Sequence, residues 1–136
     1  MSRRSRSKIR GVIELRRALR KAPEAMRDVV REEIGDTVED VHRDGLRLMD
    51  AMVTRRSGVL RKHYKAKRPS AKGFKGWVGY RGKRAIRAAY YARWVHDGTV
   101  KTPSRPFHYR AEQRHLIRFR RAMRLAASHA LGRVLK

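Results

Sequence analysis

YYARWVHDGTVKTPSRPF, residues 90–107, packs four aromatics, a Gly-Thr turn and two prolines into eighteen residues. Its order reads as a short apolar element, a glycine stop, a proline-framed loop and the start of a helix. Residues 88–96 taken alone fit either a short helix or a strand. Asp97-Gly98 ends them, and Pro103 and Pro106 frame the loop. From Tyr109 the pattern becomes helical. Leu116, Phe119, Met123, Ala126, Ala130 and Val134 recur at three- and four-residue steps, with Arg110, Arg114, Arg118, Arg121 and Arg124 on the opposite side.

Upstream, the clearest periodicity spans residues 26–52. Met26, Val30, Ile34, Val38, Val41, Leu48 and Met52 fall on one stripe that also holds Gly45. This is the 3.6-residue period of a single long helix. Asp28, Glu32, Asp36, Glu39, Asp40 and Asp44 occupy its other faces, interleaved with Arg27, Arg31, Arg43 and Arg47. Pro23 suits the first turn, and early acids suit the helix dipole. Gly35 and Gly45 each lower helix propensity by roughly 1 kcal/mol relative to Ala. Residues 54–58 (TRRSG) end this helix.

The middle of the chain reads as short strands. Residues 59–67 alternate as a strand, with Leu60, Lys62, Tyr64 and Ala66 facing one side and Val59, Arg61, His63 and Lys65 the other. Residues 68–76 (RPSAKGFKG) form a loop or hairpin tip, residues 77–80 (WVGY) resume a strand, and residues 81–87 (RGKRAIR) make a second basic turn. Residues 12–21 fit a short amphipathic helix or the start of a strand. The order is helix, helix, two or three strands, short helix, helix, which is an α+β domain.

Composition sets the bounds. The chain has 136 residues, enough for one domain with a modest core, and is 40% hydrophobic and 36% charged. It has no cysteine, which removes disulfides and thiolate metal sites and fits a reducing compartment. No run approaches the roughly 18 apolar residues of a membrane span. The N-terminus lacks the apolar stretch of a secretory signal. The net charge of +25 is uneven: residues 1–23 carry +8, residues 24–50 carry −5, and residues 51–136 carry +22. A field of this kind calls for counterions, nucleic acid or acidic protein surfaces.

Chemistry-bearing patterns are sparse. His42, His63, His96, His108, His115 and His129 form no HxH or HExxH arrangement, so no metal site is expected and they read as surface or partly buried side chains. His96 and Asp97 are adjacent, and neighbours on a helix or strand are expected to point different ways. Beyond residue 50 the only acids are Asp97 and Glu112, each a candidate arginine partner, so no paired carboxylates or catalytic residues are expected. Gly73, Gly76, Gly79 and Gly82 recur at threes but lack the strand–loop–helix setting of a phosphate loop, and no cofactor is expected.

Arg3, Arg4, Arg6, Lys8 and Arg10 of an N-terminal arm, Arg68, Lys72 and Lys75 of the loop, and Arg81, Lys83, Arg84 and Arg87 of the basic turn are candidates to face DNA or a partner. Phe74, Trp77 and Tyr80 lie near enough in sequence to stack on bases. No recognised nucleic-acid-binding signature accompanies them. The plainer reading makes the aromatics caps on a small sheet and the basic residues its solvated rim.

Three motifs occur in an order that resembles the tail-completion, or tail-terminator, proteins of long-tailed bacteriophages, also described as head–tail joining proteins. Gly11-Val12-Ile13-Glu14-Leu15 precedes Pro23 and the long helix. Ser57-Gly58-Val59-Leu60-Arg61 is similar to the family's turn into a strand. Tyr91-Ala92-x-x-Val95-x-x-Gly98-Thr99, then Arg105-Pro106-Phe107, is similar to its step into the C-terminal helix. His96-Asp97 stands where the family usually has a Glu-aromatic pair. The likeness covers about residues 9–135.

The resemblance implies a non-enzymatic virion protein, with residues 1–8 a flexible basic arm and residues 9–136 a single domain. It implies a small antiparallel sheet packed against a long N-terminal helix and a C-terminal helix. Leu60, Trp77, Val78, Tyr91, Trp94, Val95 and Phe107 are then expected to join the helix stripes in the core. It also implies a homo-oligomeric ring, often a hexamer, at the head-proximal end of the tail, contacting the tail tube protein and the head-completion protein. The implied setting is the virion, with assembly in the host cytoplasm, incidental contact with genomic DNA and no membrane partner. Glu32, Asp36, Glu39, Asp40 and Asp97 are the candidate acids for contacts between subunits. The competing readings are a basic nucleic-acid-binding module and a small nuclease-like enzyme.

Overall fold

Glu24–Met52 form one helix, α1, of 29 residues. Pro23 stands at its N-cap with extended backbone, and its carbonyl accepts the amides of Met26 (3.0 Å) and Arg27 (3.2 Å). The computed structural model describes residues 17, 20–54 and 58–134. The arm at residues 1–8, the motif at residues 11–15 and Ser57 lie outside the described residues, as does most of the segment 12–21, of which Arg17, Arg20 and Lys21 are helical.

The expected stripe of α1 turns inward. Val30, Val38 and Val41 are buried, while Met26, Ile34, Leu48 and Met52 are half-buried. Met49 joins the interior at 3% exposure. The second long helix, α5, spans Phe107–Val134. It starts two residues before the expected Tyr109, because Phe107 and Ala111 anchor its first turns in the core. Asp40 meets Arg118, and Asp44 meets Arg114 and His115, so α5 runs antiparallel to α1.

Between the long helices the chain is more helical than its alternation implied. Residues 59–67 are not one strand. Val59–His63 form a short helix, α2, and Lys65–Lys67 form strand β1. Leu60 and Tyr64 lie four residues apart, a spacing that shares a face in either period, so the pattern could not separate the two forms. Gly58, at φ 70°, supplies the left-handed turn that starts α2, and the Tyr64 amide bonds to the Leu60 carbonyl at 3.0 Å.

β1 pairs antiparallel with β2, Trp77–Gly79, in the register Lys65↔Gly79, Ala66↔Val78 and Lys67↔Trp77. The described residues hold these two strands, the lower of the expected numbers. Residues 68–76 are the hairpin loop. Gly76 lets the hairpin lie on α1, because a Cβ there would sit 2.5 Å from Val38.

The basic turn at residues 81–87 is instead a helix, α3, at Lys83–Ala88. After Gly82 its residues are helix formers with no breaker among them. The ambiguous segment 88–96 resolves as a turn and then helix α4, Ala92–Asp97. Gly98, at φ 81°, ends α4, and a Cβ there would meet the Ser104 amide nitrogen at 2.8 Å. The fold is thus α+β, a two-stranded antiparallel sheet against the long N-terminal and C-terminal helices. The interior cluster joins Met49, Leu60, Tyr64, Ala89, Ala92 and Phe107, with Val78, Tyr91 and Val95 packed against it. Trp77 is half-buried. Trp94, expected inside, is 54% exposed.

Candidate functional site

Several described titratable side chains converge on Tyr64. Its ring is 1% exposed, meets Phe107 edge-on at 5.8 Å, tilts against Tyr80 at 5.6 Å, and stacks on His42 at 5.4 Å. The ring crosses α1 at Gly45, where a Cβ would lie 2.8 Å from the Tyr64 ring. The Tyr64 hydroxyl lies 2.7 Å from His108 Nδ1, and its backbone carbonyl accepts the His42 Nε2 proton at 3.0 Å.

Burial raises the Tyr64 phenol well above its ordinary range, reinforced by the Glu112 carboxylate. Burial lowers the His108 imidazole, with Glu112 opposing and His96 adding to the shift. The phenol therefore keeps its proton and donates it to a neutral His108. Tyr80 is raised chiefly by burial and donates to the Leu60 carbonyl at 3.1 Å.

His96 and Asp97 do not point apart as expected. At the end of α4 they close on each other, with His96 Nδ1 at 2.8 Å from Asp97 Oδ1. His96 Nε2 accepts the Tyr109 amide at 3.3 Å, and its carbonyl accepts the Ser104 hydroxyl at 2.7 Å. The His96 hydrogen bond, ahead of the other influences, pulls the Asp97 carboxyl below its usual range. A cavity of about 360 Å³ borders Tyr64, Tyr80, His96, Asp97 and His108. Both His96 nitrogens are occupied and the Tyr64 proton is held, so these groups serve cohesion between α4, α5 and the hairpin. Among the described residues no three His, Cys, Asp or Glu side chains are grouped to hold a metal ion.

The charged candidates divide into two sets. Arg68 forks onto Glu39 at 2.7 Å and Asp36 at 3.1 Å, pinning the hairpin loop to α1, and these carboxylates, Glu39 first, hold its guanidinium charged. Asp40 pairs with Arg43 at 3.2 Å and Arg118 at 3.6 Å, and Asp97 adds Arg93 at 3.6 Å. Four of the five candidate acids thus have partners within the subunit. Glu32 is exposed and has no ion pair among the described residues; nor has its neighbour Glu33, nor Glu112. Lys72, Lys75, Lys83, Arg84 and Arg87 are exposed, as is Arg81, whose guanidinium lies 5.5 Å from the Trp77 ring. Arg31 covers Phe74 at 5.0 Å. Arg3, Arg4 and Arg6 lie outside the described residues.

A surface pair that the sequence reading did not single out is Tyr90 with Trp94. They are 65% and 54% exposed, their rings 5.7 Å apart and edge-on. The signal was present in the spacing. Once Tyr91 and Val95 turn inward on a helical period, positions 90 and 94 fall about 100° away, toward solvent. Val29 and Ile86 are also exposed, at 58% and 56%. No described helix is long and apolar enough to cross a membrane. Comparison with family models, curated proteins and solved structures finds no match to this chain.

Proposed function

We propose that this chain is a ring-forming structural subunit of a long-tailed phage, placed at the head-proximal end of the tail. There it terminates the tail tube and meets the head-completion protein. The observation that carries this reading is the subunit's two unlike surfaces. An acidic stretch on α1 leaves Glu32 and Glu33 without ion pairs among the described residues, while the rest of the chain is strongly basic and exposes large aromatics. Complementary but different patches on one chain favour head-to-tail contacts, which close into a ring when the rotation allows.

Of the motifs that resemble tail-completion proteins, the one at residues 91–107 supports the reading in its structural setting, while the one at residues 57–61 leads into helix α2 where a strand was expected. Gly58 and Gly98 hold left-handed turns, and Tyr91 and Val95 pack against the core between them. The loop at residues 68–76 is the proposed reach toward a neighbouring ring or tube. Six copies would concentrate a large positive charge, which acidic partner faces or threaded DNA would offset.

Electron microscopy of the purified chain tests this directly. Closed rings of uniform diameter are expected, and a monomer at tens of micromolar would overturn the proposal. Assembly unchanged by deletion of residues 69–75 would remove the loop's part in it. The second reading, a nucleic-acid-binding module, draws on the exposed Arg110, Arg114, Arg118, Arg121 and Arg124 of α5. It requires tight binding of DNA or RNA by the monomer, falling steeply with salt.

A further inference from the structure

The Tyr90–Trp94 pair combines three features of an interface anchor. It is aromatic, it is exposed on α4 and the turn before it, and it is flanked in sequence by exposed Arg87 and by exposed Arg93, which lies 3.6 Å from Asp97. Trp, Tyr and Arg dominate the energetics of protein contacts, and an unsatisfied aromatic pair on a charged subunit calls for cover. Two such faces would bring four arginines together with only the Asp97 pair of this face to offset them, which disfavours their covering each other.

α1 carries the opposite arrangement. Val29, 58% exposed, shares a helix face with Glu32, Glu33 and Asp36. Its centre is apolar and its rim acidic; Asp36 is taken by Arg68, while Glu32 and Glu33 have no ion pair among the described residues. The patches lie toward opposite ends of the subunit. Met49, at the far end of α1, packs in one cluster with Ala89 and Ala92, which border the aromatic pair in sequence. Val29 is twenty residues before Met49, or about 30 Å along the helix axis.

We infer that Tyr90 and Trp94 of one copy dock on the Val29 face of the next, with Arg87 and Arg93 facing Glu32 and Glu33. This deepens the ring reading and rests on it, by naming the contact that would close the ring. Trp94→Glu is expected to leave the helical circular dichroism unchanged and to weaken subunit association about thirtyfold or more, seen by sedimentation. Arg87→Glu with Arg93→Glu should do the same, and adding Glu32→Arg with Glu33→Arg to that chain should restore association. A Trp94→Glu protein that still forms wild-type rings overturns the contact. If its rings persist while its binding of single-stranded DNA falls, the face belongs to nucleic acid, which also overturns it.

Crosslinking separates this contact from the ring itself. The chain has no cysteine, so copies bearing Val29→Cys and copies bearing Trp94→Cys can be mixed and joined by a bis-maleimide. A mixed crosslink without rings in micrographs would sink the ring reading and keep the contact. Rings without the crosslink, and unaffected by Trp94→Glu, would do the reverse.

Discussion

Tyr64 and Trp94 are both large aromatics from the basic two-thirds of the chain, and the fold treats them oppositely. Tyr64 is 1% exposed with the rings of His42, Tyr80, Phe107 and His108 around it, whereas Trp94 is 54% exposed and touches Tyr90. Hydrophobicity alone would bury the tryptophan first. Local geometry decides instead. Tyr64 sits where α2 hands over to β1, over a glycine of α1 and within reach of a histidine acceptor. Trp94 shares a short helix with Val95 and follows Tyr91, and those two take the inward face. A buried aromatic with a polar tip needs a partner for that tip, and Tyr64 has one.

The contrast can be broken most forcefully at Tyr64. Tyr64→Ala removes a buried ring and strands His108, and should cost about 3–5 kcal/mol in urea unfolding. The two α1 glycines give a subtler contrast. Gly45→Ala gains about 1 kcal/mol in helix propensity, but its Cβ would press on the buried Tyr64 ring at 2.8 Å. Overpacking of this kind costs about 1–3 kcal/mol, so a net loss is expected. Gly35→Ala presses instead on the tip of the half-exposed Arg68, which can swing aside. It should stabilise by up to about 1 kcal/mol, and a loss comparable to that of Gly45→Ala would show that the loop is held as rigidly as the core.

Smaller effects sharpen the node itself. Tyr64→Phe keeps the ring and deletes the hydroxyl, which should cost about 1 kcal/mol through the unpaired His108 nitrogen. The node should also respond to acid. His108 is depressed below its ordinary 6.5 in the folded state. The unfolded chain therefore takes up a proton first as pH falls, and stability present above pH 6.5 is lost below it. Urea midpoints between pH 5 and 8 should show this decline, and His108→Gln should flatten it. Least of all, Trp94→Ala should change monomer stability by no more than about 0.5 kcal/mol. A large loss there would mean that the exposed pair supports the fold rather than an interface.

Much of the architecture was legible because long helices average over local ambiguity. The α1 stripe and the α5 stripe each repeat over many turns, and both helices form where their periods placed them. The hairpin loop was legible from its Pro, Ser and Gly content. The strand at residues 77–79 was legible too, but the short helices were not, for a shared reason. Residues 59–63 and 83–88 each span less than two helical turns, too few to distinguish a period of 3.6 from one of 2. The candidate charges were legible by type, but their pairing was not. Arg68 is 32 residues from Asp36 and 29 from Glu39 in sequence, and only the hairpin's approach to α1 brings them together.

By itself the sequence determined the two long amphipathic helices, the stop at Gly98, and the acidic island in a basic chain, because each is written in local spacing and composition. Only the tertiary structure decided which aromatics are inside, which acids remain open, and that Tyr64 and His108, 44 residues apart, share a proton-bearing contact. Those outcomes depend on which faces of short helices meet the long ones. A contact of that range is set by packing, and residues 90–107, which carry both an inward Tyr91 and an outward Trp94, hold both outcomes within four positions.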